Sequence, residues 1–455
     1  MTEKLAMSIP NEISRRTFLK LSSASPLALS QQGGAYGVGE STPPGGPKKD
    51  ATGAQTTDFQ TAIRQFLTAR CLTRQEVETY LDPHQPNWAQ FDPVMGYVLR
   101  DSVIKNGMDQ SRTFETYVKT GERITINGAH QPCRINTYGD SFTQCSQTSN
   151  GETWQEYLAA HLGEPIRNFG IGGYGSYQAY RRMLREEATA HQAEYLILNI
   201  WSIDDHLRSI DAWRWLRFAE MWRKVPGSLY MVHGNPWAHV RLNLQTGDLI
   251  EIENPFPTPE SLRNLANPEF VYEHFKDDLV VKLLVTEWNG AAENRDELAA
   301  LAKALGVKTD FSSPKATSAT ALAVRIEYGL RAGIKVIEKT NTFAREKNKK
   351  LMVVLSYGGN TVSQACEGLP RPDQSVVDFL KEKNIPFVDG LQKHVEDFQA
   401  FKISPQDYAR RYYVGHYNPH GNHFFAFAIK DAVVAWLDPK PPTYRSGGAT
   451  IPPGA

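Results

Sequence analysis

From about residue 133 onward, short apolar runs alternate with segments of helical period, and this alternation constrains the fold more than any other feature of the chain. Arg134 to Tyr138 reads as a short strand ending at Gly139, and Thr153 to Leu162 as a helix. Pro165 to Phe169 reads as a second strand. The glycine-rich run Gly170-Ile171-Gly172-Gly173-Tyr174-Gly175 follows it, and Tyr177, Tyr180 and Leu184 then recur at helical spacing. Tyr195 to Trp201 is the strongest strand, Leu351 to Tyr357 a fourth and Ile385 to Val388 a fifth, and Asn422 to Leu437 closes the pattern as an amphipathic helix. Strands alternating with helices predict an α/β fold: a parallel sheet of about five strands with helices on both faces, in three layers.

About 150 residues separate the third and fourth strands, far more than one crossover needs. Within them Trp237 to Leu244 and Leu249 to Ile252 read as a hairpin across Gln245-Thr246-Gly247-Asp248, and a long helix runs from about Ala319 to Asn348. The stretch from about 209 to 315 reads as a large insertion in a domain spanning 131–440, with a tail at 441–455. Residues 58–130 form a lead-in, where Thr73-Arg74-Gln75-Glu76 has capping-box spacing and Asn127-Gly128 suits a tight turn. Residues 31–57, rich in Gly, Pro, Ser and Thr, read as a flexible linker that cannot build a core.

Fifty basic and fifty acidic residues leave no formal net charge, so nothing in the balance points to nucleic acid or an anionic membrane. Four cysteines without a CxxC pair are no disulfide framework and no zinc or redox motif. Cys133 and Cys145 flank the first strand and suit either a disulfide or two buried thiols. Ser14-Arg15-Arg16-Thr17-Phe18-Leu19-Lys20 resembles the twin-arginine export signal, with residues 1–30 as its extent. A basic tail on a cytosolic protein is the other reading. The apolar run behind it, Leu21 to Leu29, is too short to span a bilayer, and no other stretch is long enough for a stable membrane span. The resemblance implies delivery of a folded protein by the twin-arginine export machinery, to a periplasmic or secreted location.

Chemistry concentrates at three places. Tyr138-Gly139-Asp140-Ser141-Phe142 puts a serine just past a strand's carboxyl end, where open parallel sheets bind ligands and backbone N–H groups can hold an oxyanion. A plain strand-to-helix turn has the same composition. Asn168 to Gly175 ends the second strand on the same edge; its glycines allow close backbone approach, and the lysine and serine of a phosphate-binding loop are absent. Gly415-His416-Tyr417-Asn418-Pro419-His420-Gly421-Asn422-His423 precedes the last helix, and histidine is the usual base for a serine nucleophile. Three histidines without carboxylate partners make a weak metal set, so neither a metal nor a cofactor is expected. Trp201 and the pair Asp204-Asp205 follow the third strand and are candidates for substrate contact, against the plainer readings of core packing and a solvated loop.

These blocks together resemble the SGNH (GDSL-like) hydrolase family over about residues 133 to 437. Gly139-Asp140-Ser141-Phe142-Thr143 with Glu152-Thr153-Trp154 is similar to the first block, the Asn168 to Gly175 run to the second, and His416-x-Asn418-x-x-Gly421-x-x-x-x-Ala426 to the last. The resemblance implies a three-layer, flavodoxin-like sheet, Ser141 as nucleophile, His416 as base, and the N–H groups of Ser141 and Gly173 as oxyanion donors. The chain departs from the pattern in two respects. Ile203 stands where the family presents an asparagine donor, and Val414 and Tyr413 stand where it presents the acid that orients the histidine. A backbone carbonyl, or a carboxylate from Asp389, Asp204 or Asp205, is expected to take that acid's place. The implied activity is hydrolysis of a small-molecule or carbohydrate ester, such as O-acylated carbohydrate. An O-acyltransferase of the same fold and a degenerate carbohydrate-binding module are the alternatives.

Overall fold

The computed structural model describes residues 58–85, 88–222 and 235–445. The expected export signal, the linker and most of the tail lie outside them. After two helices, Phe59–Thr68 and Arg74–Leu81, come two antiparallel hairpins: β1 (Ala89–Asp92) with β2 (Gly96–Leu99), and β3 (Ser102–Lys105) with β4 (Arg112–Glu115). The central sheet then uses β5 (Ile135–Tyr138), β6 (Arg167–Asn168) and β7 (Tyr195–Trp201). A third hairpin, β8 (His239–Leu242) with β9 (Leu249–Ile252), interrupts the series before β10 (Lys350–Ser356) and β11 (Phe387–Asp389) complete it. The sheet order is β6-β5-β7-β10-β11, and every neighbouring pair is parallel.

Strand alternation sends successive residues to opposite faces, and both faces are covered. Ile135, Ile197, Met352 and Val354 pack against Trp154, Leu158, Phe425 and Ile429 of the helices Trp154–Leu162 and Pro419–Trp436. Leu196, Leu198, Val353 and Leu355 pack on the other side against Met183, Leu330, Ile337 and Val376. At the outer edge of β6, Arg123 donates its backbone N–H to Asn168 O at 3.0 Å, so a lead-in residue covers this edge.

Differences from the sequence reading sit at element ends, where side-chain caps decide the boundary. The long helix starts at Pro314, earlier than Ala319, because Ser313 accepts from Ala316 N at 3.2 Å and proline occupies the first turn. The last helix starts at Pro419 because Asn418 caps it. Thr73 makes the expected capping box with Glu76.

Between β7 and β10 the chain builds helices and the β8–β9 hairpin, and these share one core with the lead-in. Ile63, Phe66 and Leu67 of the helix Phe59–Thr68 belong to the same cluster as Trp213, Trp215, Leu265, Val281 and Leu284. Trp213, Trp215 and Phe218 are buried. Cys133 and Cys145 are unpaired. Among the described residues no helix is long and apolar enough to cross a membrane.

Candidate active site

The site begins at the end of β5. Gly139 makes the turn, and no side chain fits there: a Cβ would lie 2.1 Å from Thr143 Oγ1 and 2.5 Å from the Asn199 carbonyl oxygen. Ser141 then opens the one-turn helix Ser141–Gln144. One oxygen of Asp140 caps that helix by accepting from Phe142 N at 2.8 Å, and the other lies 3.2 Å from Ser141 Oγ. β5 lies between β6 and β7, so the chain leaves it first to one side and later to the other. The serine turn therefore stands where strand order reverses, the place where open α/β sheets form their ligand crevice.

His416 comes from the far end of the chain, and its Nε2 lies 2.8 Å from Ser141 Oγ. Asn418 and Gly421 anchor the loop that carries it. The Asn418 side chain accepts from Gly421 N at 2.9 Å and donates to Arg411 O at 2.9 Å, while a Cβ on Gly421 would strike Tyr412 O at 2.2 Å. Burial lowers the His416 pKa to about 4, and the nearby positive charge of Arg208 pushes the same way. The ring is thus neutral at neutral pH.

The glycine loop leaves one N–H unspent. Gly170 N donates to Asn168 Oδ1 at 2.9 Å, Ile171 N to Gly139 O at 3.0 Å, Gly172 N to Gln144 Oε1 at 2.7 Å and Tyr174 N to Ile171 O at 3.1 Å. Gly173 N has no acceptor among the described residues, and neither has Ser141 N. Gly173 holds φ +90°, a conformation that glycine adopts without strain. Tyr97 braces the loop by donating its hydroxyl to Gly172 O at 2.6 Å.

Known family models give no match to the chain, and no curated protein matches it. The assignment of roles therefore stands on this geometry and on the sequence blocks.

Three expected substrate contacts are placed beneath the site instead of opening onto it. Trp201 is buried, with its ring stacked on Phe142 at 5.4 Å between centroids. Asp204 and Asp205 are buried around Arg208, whose guanidinium reaches Asp204 at 2.5 Å, Asp205 at 3.1 Å and Asp140 at 3.4 Å. Burial pushes the Asp204 carboxyl up, but Arg208, Arg217 and Arg214 together outweigh it and hold it below the usual carboxylate range. Burial raises Asp140 and Asp205 against the pull of Arg208. The solvated loop expected at 204–206 is therefore a buried ion cluster, because it opens the helix Asp204–Ile210 directly under the sheet edge. Among the described residues no group of three or more His, Cys, Asp and Glu side chains could hold a metal ion.

None of the three carboxylates reaches His416. Asp389 caps the helix Gly390–Phe398 and pairs with Arg371, while Asp204 and Asp205 are committed to the arginine cluster. The group on Nδ1 is also no backbone carbonyl: it is the side-chain oxygen of Gln147, 2.9 Å away. Nothing in the sequence marked this residue, which sits in a polar loop six positions after Ser141. Arg123 clamps that loop, donating to Gln144 O at 2.5 Å and Thr148 O at 2.6 Å. Gln144 and Arg123 were equally silent, because each acts through contacts with residues remote in the chain.

Proposed function

We propose that this chain is a serine ester hydrolase of the SGNH type, with the segment between β7 and β10 as an insertion in a flavodoxin-like domain. The observation that carries the reading is the 2.8 Å contact between Ser141 Oγ and His416 Nε2 at the switch point of the sheet. Ser141 attacks the ester carbonyl while His416 takes its proton. The unspent N–H groups of Ser141 and Gly173 receive the developing oxyanion, and His416 returns the proton to the departing alcohol. Water then repeats the sequence on the acyl-enzyme. No cofactor enters these steps. The proposed substrate class is a carbohydrate or small-molecule O-acyl ester.

A fluorophosphonate probe tests the reading directly, since only an activated serine reacts. The expected result is a single adduct mapped to Ser141, with acetate released from a model acetyl ester and from O-acetylated oligosaccharide. An unlabelled, folded protein would overturn the hydrolase reading in favour of a binding module.

Gly173→Ala tests the oxyanion role. The N–H survives this substitution, but alanine at φ +90° costs on the order of 1–2 kcal/mol, so the loop shifts and the donor moves. Loss of one such donor typically lowers rate by about 10²–10³. A labelling rate within threefold of wild type, with an unchanged fold by circular dichroism, would rule the donor out.

Export by the twin-arginine route belongs to the same proposal and rests on Ser14 to Lys20. Changing Arg15 and Arg16 to lysine should leave a fused reporter in the cytoplasm. Periplasmic arrival of that double variant would refute the signal.

A further inference from the structure

We propose that Gln147 is the positioning residue that stands in for the missing acid, giving a charge-free Ser141–His416–Gln147 relay. This rests on the Ser141–His416 reading of the site. The amide can be oriented in only one way. Gln147 Nε2 lies 2.9 Å from Asn106 O and 3.2 Å from Val414 O, both of which only accept. Gln147 Oε1 lies 2.9 Å from the backbone N–H of His416, which only donates, and 2.9 Å from His416 Nδ1. A flipped amide would set oxygen against two carbonyls and NH₂ against an N–H.

The oxygen therefore faces Nδ1, and Nδ1 must carry the hydrogen. That leaves the Nε2 lone pair for the hydroxyl proton of Ser141, which is the tautomer a general base needs.

The surroundings hold this geometry at a cost. Gln147 is buried and sits at φ +73°, in the left-handed region that a residue with a side chain adopts only when its neighbours impose it. The loop after β3 supplies Asn106 O, the loop before the last helix supplies Val414 O, and the Arg123 clamp closes over residues 144–148. Two remote segments thus meet on one amide, and a third holds the loop that carries it.

A glutamine has a consequence that a carboxylate would not have. The groups that could alter the ring's charge are few. Arg208, from the helix Asp204–Ile210, opposes protonation. Asp140, beside Ser141, is itself paired with Arg208. Burial raises the phenols of Tyr413 and Tyr417 in the same loop, so both stay neutral. With an uncharged partner at Nδ1, no carboxylate among the described residues touches the ring to stabilise the imidazolium. The acid limb of the reaction with fluorophosphonate should then lie near pH 4 instead of near the ordinary histidine value of about 6.5. The sign follows from the direction: the neutral, reactive ring predominates above its pKa, and reactivity falls as pH drops through it.

The test pairs a spectrum with a rate. Folded, full-length protein labelled with [15N]histidine gives the tautomer of each ring, and His416 is assigned by its loss in His416→Gln. Wild-type His416 is expected as the pure Nδ1–H form from pH 8 down to about 5. Gln147→Met keeps the length but removes the acceptor. It should give mixed tautomers and a labelling rate roughly 10- to 10³-fold lower, below the roughly 10⁴ of an imposed wrong tautomer. Gln147→Glu keeps an oxygen at Nδ1; its second oxygen meets Asn106 O and Val414 O, so the carboxyl should be held protonated to donate there, restoring the Nδ1–H form and part of the rate.

A wild-type ring in the Nε2–H form, or a folded Met variant with wild-type tautomer and rate, would overturn the proposal. If the Met variant does not fold, the wild-type spectrum and the Glu variant still decide it. The spectrum needs no activity, so failure of the probe to label wild type would sink the hydrolase reading while leaving Gln147 to be judged separately.

Discussion

Ser141→Ala is expected to abolish fluorophosphonate labelling and to lower turnover of an acetyl ester by on the order of 10⁶-fold, the size of loss found when a catalytic serine is removed. The fold should survive. Among the described residues Ser141 Oγ has two polar partners, His416 Nε2 at 2.8 Å and Asp140 Oδ2 at 3.2 Å. Each partner keeps other bonds without it: Asp140 still caps Phe142 N at 2.8 Å, and His416 still meets Gln147 at 2.9 Å. Removal of one such hydroxyl costs about 1 kcal/mol of stability, a shift of a few degrees in Tm at most. Labelling of the alanine variant at another serine, at wild-type rate, would remove Ser141 from the mechanism.

His416→Ala should produce a loss of the same order, because a serine hydroxyl without its base is a poor nucleophile. The more decisive measurement is the double variant. Groups that act as one unit fail together, so Ser141→Ala with His416→Ala should be no slower than either single change. Independent contributions would instead multiply, and a double variant slower by the product of the two losses would break the proposed unit. The ring also packs on Phe142, with centroids 5.2 Å apart, so a melting curve must accompany the rates. A single His416→Ala that retains more than about a tenth of wild-type labelling would place the base elsewhere.

Much of the sheet was legible because a buried parallel strand writes an apolar run into the chain. Tyr195–Trp201 is such a strand, and the structure bounds it at the same residues as the sequence pattern. The edge strands were less clear. Arg167–Asn168 is two residues long where five were read, since only two of its residues pair with β5. At the site, Ser141, Gly173 and His416 were readable because each is tied to a local signal: a strand end, a glycine run, a helix start. The surroundings of Trp201, Asp204 and Asp205 were not legible, because burial and ion pairing are not local properties. Asp204 is neutralised by Arg208 four residues on, but also by Arg217, which only the fold brings to within 3.0 Å.

The division between the two sources follows from range. By itself the sequence determined an α/β alternation, a serine past the first strand of the sheet, a glycine loop past the second and a histidine before the last helix, all features encoded within a few residues of one another. Only the tertiary structure decided what completes the constellation. It closed a chain separation of 275 residues to bring His416 onto Ser141, and one of 269 to place Gln147 on the ring. It also drew Asn106 and Arg123 from the lead-in to hold that glutamine. A side-chain amide carries no positional signature in a sequence. What makes Gln147 singular is the set of donors and acceptors around it, and these are assembled from segments that meet only when the sheet has formed.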